Sequence, residues 1–322
     1  MTTEDLIGKI LQVVMGLVVF AAIVGLIIFF IDKAPKKGRD YWQLAGFLAP
    51  ALILVAIGLV WPAIRTTFLA FQDNSGAWSL DNFIWMFTQP AAIRTLINTV
   101  IWVLLVPTFA TVVGLAYAIF IDRSRGERYF KALVFMPMAI SFVGAGIIWR
   151  FVYEYRSGDR EQIGLLNAIV VAFGGEPVQW LQTDPINTIL LIVVMIWIQT
   201  GFAMVVLSAA IKGIPTEQIE AAQLDGTNAW QRFRNVTVPG IRGSIVVVLT
   251  TISIATLKVF DIVRTMTAGN FNTSVVANEM YTQAFRASEV GRGSALALIL
   301  FVMVMPIIIY NIRILRQQRE IR

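Results

Sequence analysis

Ile214-Pro-Thr-Glu-Gln-Ile-Glu-Ala-Ala-Gln-Leu-Asp-Gly-Thr-Asn-Ala-Trp-Gln-Arg-Phe-Arg-Asn-Val-Thr-Val-Pro239 is a polar island in a chain otherwise apolar enough to cross a bilayer. It carries Glu217, Glu220, Asp225, Arg232 and Arg234, and long apolar blocks lie on both sides. Its local signals predict two short helices around a turn. Pro215 suits a first helical turn, where a missing N–H costs nothing. Thr216 to Leu224 are mostly good helix formers. Asp225-Gly226 breaks that run, and glycine takes a positive φ at low cost. Thr227 or Asn228 then supplies a cap, and Pro239 is expected to end the second helix. Ala221 and Ala222 offer a smooth face for close approach. Trp230 and Phe233, three apart, share a face. On the residues alone, the segment reads equally as an amphipathic pair lying on the membrane surface.

The composition explains why an island stands out. Of 322 residues, 57% are hydrophobic and only 14% charged, against about 25% charged in soluble domains. The apolar residues fall in long blocks without strand-like alternation, so an all-α integral membrane protein is expected and a β-barrel is not. There is no cysteine and no histidine, which removes disulfides, thiolate chemistry and the commonest metal ligand. No metal site and no catalytic cluster is expected. No Gly-x-x-x-x-Gly-Lys-Ser/Thr loop occurs, so the chain has no P-loop for ATP. The net charge of +6 needs no nucleic-acid partner, because cationic cytoplasmic loops account for it.

Seven blocks follow in order, giving a bundle of about seven transmembrane helices. The first, Ile10 to Ile31, has 22 residues without a charge, and a crossing needs about 20. Glu4 and Asp5 precede it and Lys33, Lys36, Lys37 and Arg39 follow, the reverse of a signal peptide. The others are Trp42–Ile64, Thr95–Ile121, Ala132–Trp149, Pro185–Ile211, Gly243–Leu257 and Gly293–Ile312. Residues 32–41, residues 122–131 and the tail from Arg313 each hold four Lys or Arg, whereas 72–90 holds none. That asymmetry places the N-terminus outside, and the C-terminus and the Glu220 segment in the cytoplasm. No pair of broken helices is evident in matching halves of the chain, and the central blocks contain no acid for ion coupling; both features disfavour a stand-alone secondary transporter.

Glu220-Ala221-Ala222, Asp225-Gly226 and Val238-Pro239 resemble the EAA loop of ATP-binding-cassette importer permeases, with the spacing met throughout. The resemblance covers roughly residues 45–315 and is closest to the MalF-type sugar permeases. Supporting pieces are Trp61-Pro62-Ala63-Ile64-Arg65, Phe135-Met136-Pro137, Lys212-Gly213-Ile214-Pro215 and Lys258-Val259-Phe260-Asp261. It departs at Thr227, where the family often has alanine, and at the first helix. The resemblance implies a six-helix permease core, residues 41–322, plus an extra N-terminal helix with a basic linker, residues 1–40. It implies a coupling loop at 212–241 that docks on an ATPase, with Glu220 making a contact, Gly226 the turn, and Ala221, Ala222, Asp225 and Pro239 completing the motif. ATP and Mg would then be bound by that partner and by no cofactor site here. The implied partners are a second, homologous permease, two ATPase subunits and an extracytoplasmic solute-binding protein, in a bacterial inner membrane. By position relative to Lys212-Gly213-Ile214-Pro215, Ile198, Gln199 and Phe202 fall where such permeases line a sugar pocket, and so does Thr256 by position relative to Thr267-Ala268-Gly269.

Independently, polar groups inside membrane helices cost enough to mark cavities. Gln199 and Thr200 interrupt an apolar block beside Trp197 and Phe202, the mixture of aromatic faces and amides that suits a sugar. Lys258 ends the sixth block and could pair with Asp261 if the helix continues, or meet an anionic glycoside. Helix–helix packing explains each of these residues as well, and polyamine, phosphate or peptide importers share the fold. For the seven-crossing topology, a reporter enzyme fused at Thr2 is expected to be active outside the cytoplasm; cytoplasmic behaviour would leave six crossings.

Overall fold

Thirty residues at the start of the chain form one helix because nothing in them breaks it. The computed structural model describes residues 3–32, 39–122, 124–158 and 160–320. The chain divides by its internal contacts into two units, Met1–Thr66 and Thr67–Arg322. The first holds α1 (Thr3–Asp32), α2 (Arg39–Val55) and a π-helical turn, Ala56–Val60, that leads into α3 (Trp61–Ala70). Apolar side chains such as Phe20 and Leu54 are exposed along these helices. Lys33, Lys36 and Lys37 lie outside the described residues.

The second unit continues with α4 (Asp81–Thr88), α5 (Pro90–Ile121), α6 (Glu127–Phe135), α7 (Phe142–Val152), α8 (Leu165–Ala172) and α9 (Ile186–Lys212). Then come α10 (Thr216–Leu224), α11 (Ala229–Arg232), α12 (Val238–Gly240), α13 (Arg242–Leu257), α14 (Asp261–Met266), α15 (Val276–Tyr281) and α16 (Val290–Glu320). Five described helical stretches are long and apolar enough to cross a membrane: Ile7–Leu26, Gln43–Ala70, Pro90–Ile121, Ile186–Lys212 and Val290–Arg313. Two bent pairs raise the number to seven if each is one span. The all-helical bundle of about seven spans therefore agrees with the apolar blocks.

The core is built around α5 and α9. Trp102, Val106, Ala110 and Ala118 of α5 are buried with Leu191, Met195, Ile198 and Leu207 of α9 in one cluster. Their backbones come close at Gly114. A Cβ there would lie 2.5 Å from the Ala203 Cβ and 2.8 Å from the Met204 nitrogen. Between membrane helices lipid supplies no hydrophobic drive, so such small-residue contacts carry the association. A smaller cluster joins Ala70, Met86, Val276, Ala295 and Leu296.

Three expectations need correction. The block Ala132–Trp149 is not one straight crossing: a 3-10 turn at Met136–Ala139 ends α6, and α7 leaves at 101°. Ile140 is extended and the Ser141 hydroxyl caps α7 by accepting from the Gly144 N–H at 3.0 Å. Secondly, Pro239 does not end its helix. It sits inside α12, and the wide π-helical turn Phe233–Thr237 before it makes room for a ring that would clash with a regular turn. The reversal falls two residues later, where α13 departs at 67°. Bent pairs thus occur on both sides of α9, contrary to the reading of unbroken blocks. Thirdly, α13 stops at Leu257, so Lys258 and Asp261 lie on separate elements and form no ion pair.

The stretch from Lys258 to Arg292, read as a loop, is folded. Between α14 and α15 the turn holds Ala268, Gly269, Phe271 and Asn272 at φ of 56°, 84°, 54° and 62°. Each non-glycine residue in that region costs about 1–3 kcal/mol. Hydrogen bonds from three elements hold the turn. The Asn98 amide of α5 donates to the carbonyls of Asn272 (2.6 Å) and Ser274 (3.0 Å). The Asn187 amide of α9 donates to the Phe271 carbonyl at 2.8 Å, and the Asn278 amide of α15 to that of Ala268 at 3.5 Å. Inside it, the Thr267 and Thr273 hydroxyls are 2.6 Å apart.

Replacing Gly114 with leucine is expected to force α5 from α9 and lower stability by about 1–3 kcal/mol, the cost of overpacking. An unchanged thermal midpoint of the purified protein would show that this contact is not tight.

Candidate functional site

The Glu220 segment folds as two short helices about a turn, and the sequence accounts for each part. Pro215 stands just before α10. Asp225 ends it, and Gly226 turns the chain at φ 75°. A Cβ at Gly226 would meet nothing within 4 Å, so the backbone angle alone calls for glycine there. The Thr227 N–H donates to the Ala222 carbonyl at 3.2 Å, and the Thr227 hydroxyl donates to the same oxygen at 2.5 Å. Asn228 is the cap: its side chain accepts from the Gln231 N–H and the Gln231 side chain accepts from the Asn228 N–H, both at 2.8 Å. The Arg232 guanidinium closes the turn on the Thr227 carbonyl at 3.1 Å. Trp230 and Phe233 stack with ring centres 5.4 Å apart.

What the segment presents outward is unusual for a free surface. Glu217, Glu220, Ala221, Asp225, Gly226 and Pro239 are exposed. Leu224 is 89% exposed and Trp230 66% exposed. Glu220 forms no ion pair among the described residues. An unpaired acid beside exposed Leu and Trp, held on capped helices, is a surface built for a partner.

The segment stands on a charged lock that sequence reading missed. Asp122, just past α5, pairs with Lys131 of α6, which also reaches the Glu127 carboxylate at 2.8 Å. Ser208 of α9 donates to both Asp122 carboxylate oxygens, at 2.8 and 3.0 Å, and meets Lys131 as well. Lys212 at the end of α9 pairs with Glu127. Three helices are thus fastened one turn before the polar segment begins. Asp122, Glu127 and Lys131 had been legible only as part of a basic turn. A gap of about 170 Å³ separates this lock from Ile214, Ile219, Phe233 and Val236 of the segment.

The predicted pocket residues are placed less openly. Ile198 and Thr256 are buried, and the Thr256 hydroxyl donates back to Ile252 in its own helix at 2.7 Å. Phe202 is half-buried against the same core. Gln199 is 8% exposed, and its amide has no hydrogen-bond partner among the described residues. Lys258 is exposed at the end of α13. Ile198, Gln199 and Phe202 share α9, while Thr256 and Lys258 lie on and just after α13, which packs against it. The described residues hold no group of three acids that could bind a metal.

The family model described as binding-protein-dependent transport system inner membrane component matches residues 89–319. The alpha-glucoside transport system permease protein AglF of Rhizobium meliloti (strain 1021) is 45% identical, covering 96% of this chain and 97% of its own. The osmoprotective compounds uptake permease protein GgtC of Synechocystis sp. (strain ATCC 27184 / PCC 6803 / Kazusa) is also 45% identical, over 86% of this chain and all of its own. Among solved structures, a bacterial importer of the acidic polysaccharide alginate has a chain with TM-score 0.75 at 23% identity, covering 88% of this chain and 98% of its own. That likeness establishes the shared fold.

Asp122→Asn is expected to loosen the lock by about 1–3 kcal/mol, because Lys131 and Ser208 lose a charged acceptor in a mostly buried place. Faster amide exchange in residues 205–212 would report it, and unchanged exchange would show that the ion pairs are idle.

Proposed function

Because the chain belongs to the family of binding-protein-dependent transport system inner membrane components, we propose that it is the membrane-spanning subunit of an ATP-driven importer for an α-glucoside or related glycoside. The observation that carries the mechanism is the exposed, unpaired Glu220 on a helix pair whose turn requires Gly226. That pair docks in a cleft of an ATPase subunit, with Glu220 meeting a cation and Leu224 and Trp230 filling apolar ground. Two ATPase subunits bind ATP and Mg, and the present chain supplies no hydrolytic group. A second, similar permease completes the pathway, and a solute-binding protein delivers the sugar from outside.

The polar segment lies in the cytoplasm with the C-terminus, and the N-terminus lies outside. Residues 41–322 carry transport, and residues 1–40 are an addition to that core. When the ATPases close, motion enters through α10–α12, passes the Asp122–Lys131–Lys212 lock and reaches α5 and α9 together. Access then alternates around the middle of α9, where Gln199 offers an amide with no hydrogen-bond partner among the described residues and Ile198 and Phe202 an apolar wall. Thr256 and Lys258 border that region from α13. A glycoside suits such a wall, since its C–H faces pack on aromatic rings and its hydroxyls seek amides.

In proteoliposomes containing the complete importer, Glu220→Lys is expected to abolish sugar-stimulated ATP hydrolysis and uptake. Gly226→Val, which strains the turn by about 1–2 kcal/mol, is expected to lower both several-fold. Full uptake by Glu220→Lys would remove the docking role.

A further inference from the structure

At the end of α9 away from the polar segment lies a cavity of about 450 Å³. Its size falls within the range of small-molecule sites, roughly 300–1,000 Å³. Arg150, Tyr155, Gln179, Trp180, Gln182 and Arg264 line it. Neither arginine forms an ion pair among the described residues. Arg264 is held over the Tyr281 ring, 4.9 Å from its centre, so its guanidinium is oriented rather than loose. The Trp180 indole donates to the Asn167 side chain at 2.9 Å, fixing that ring too. Tyr153 closes the inner wall. Its hydroxyl donates to the Leu190 carbonyl at 3.4 Å, and burial pushes its pKa up, so the phenol stays neutral.

The opposite wall is the turn after α14, with Ala268, Asn270 and Phe271 on the cavity. This is the turn whose four positive φ angles are clamped by Asn98, Asn187 and Asn278. Strain that is over-determined from three elements marks a surface whose shape matters. The remaining lining is the chemistry of a hydroxylated ligand. Planar guanidinium forks donate to neighbouring hydroxyls, glutamine amides donate and accept, and indole and phenol faces cover C–H groups.

Asn187, which touches the cavity wall, precedes Ile198 by 11 residues on one helix, or about 17 Å along its axis. The cavity is therefore separate from the mid-helix residues Ile198, Gln199 and Phe202. We infer that it is an outer solute site, in which a polyhydroxylated glycoside is retained between its release outside and its arrival at the middle of α9. This inference rests on the reading of the chain as a glycoside importer subunit. The site prevents escape: a sugar released while α5 and α9 are rearranging stays bound to the importer.

The test is the number of sugars moved per ATP hydrolysed. The complete importer, with its solute-binding protein, is reconstituted in proteoliposomes with radiolabelled trehalose, maltose or sucrose. Gln182→Ala and Arg150→Gln change exposed side chains and keep the fold; Arg264→Lys keeps the charge but loses the fork. Each variant is expected to lower sugar moved per ATP by about fivefold, the worth of one hydrogen bond, while ATP hydrolysis stimulated by the loaded binding protein is unchanged. An unchanged ratio in all three overturns the inference. So does a matching loss of stimulated ATP hydrolysis, which would make the cavity a socket for the binding protein. A wild-type importer that hydrolyses ATP but takes up none of the three sugars overturns the glycoside reading itself, and the outer site with it.

Discussion

The pairing of α5 with α9 is the contact on which the rest depends. Each helix is buried along much of its length in a structure where many other helices expose apolar side chains outward. In lipid, exposure of that kind costs nothing, so helices are held by shape and by polar contacts. Shape acts at Gly114, where the two backbones nearly touch. Polar contacts act at the ends: Asp122 and Ser208 at one, Asn98 and Asn187 through the strained turn at the other. Each apparently local feature is thereby tied to the same two helices. The α6 end is fastened by Lys131, and α14 leads into a turn that α5 and α9 grip.

What was legible in the sequence was what short stretches decide for themselves. Uncharged runs of twenty or more residues became spans because hydropathy needs no neighbour to take effect. Gly226 became a positive-φ turn and Asn228 a cap for the same reason. What was not legible depends on residues far apart. Phe135-Met136-Pro137 looked like the interior of a span, since proline alone does not distinguish a kink from a 101° departure. Pro239 looked like a stop, and the wide turn before it carries the helix past it. No local pattern reveals that Ala268, Phe271 and Asn272 adopt left-handed backbone, because three asparagines on other elements impose it.

The candidate site divides along the same line. Glu220, Ala221, Ala222 and Gly226 form one compact motif; the fold exposes Glu220, Ala221 and Gly226 together and leaves Ala222 half-buried. The residues expected to line a sugar pocket lie on α9 and on or just after α13 without a motif of their own, and Ile198 and Thr256 are closed off while Lys258 is exposed. The outer cavity escaped notice because its lining comes from three separate stretches, none with a signature. Arg150 and Arg264 are 114 positions apart in the chain, and only the packing of α14 on α7 makes them neighbours of one space.

The Asp122 lock has a counterpart at the other end of α5. Arg94 pairs with Asp184 at one end of α5, and Asp122 with Lys131 at the other. Arg94 in the first turns of α5 and Asp122 just past its end are 28 residues apart, or about 42 Å along the helix axis. A bilayer measures about 30 Å through its hydrocarbon and 40–45 Å with its headgroups. The spacing of the two ion pairs thus matches the full thickness of a bilayer with its headgroups, so a bilayer crossed by α5 would meet one pair near each surface, where water can still hydrate it.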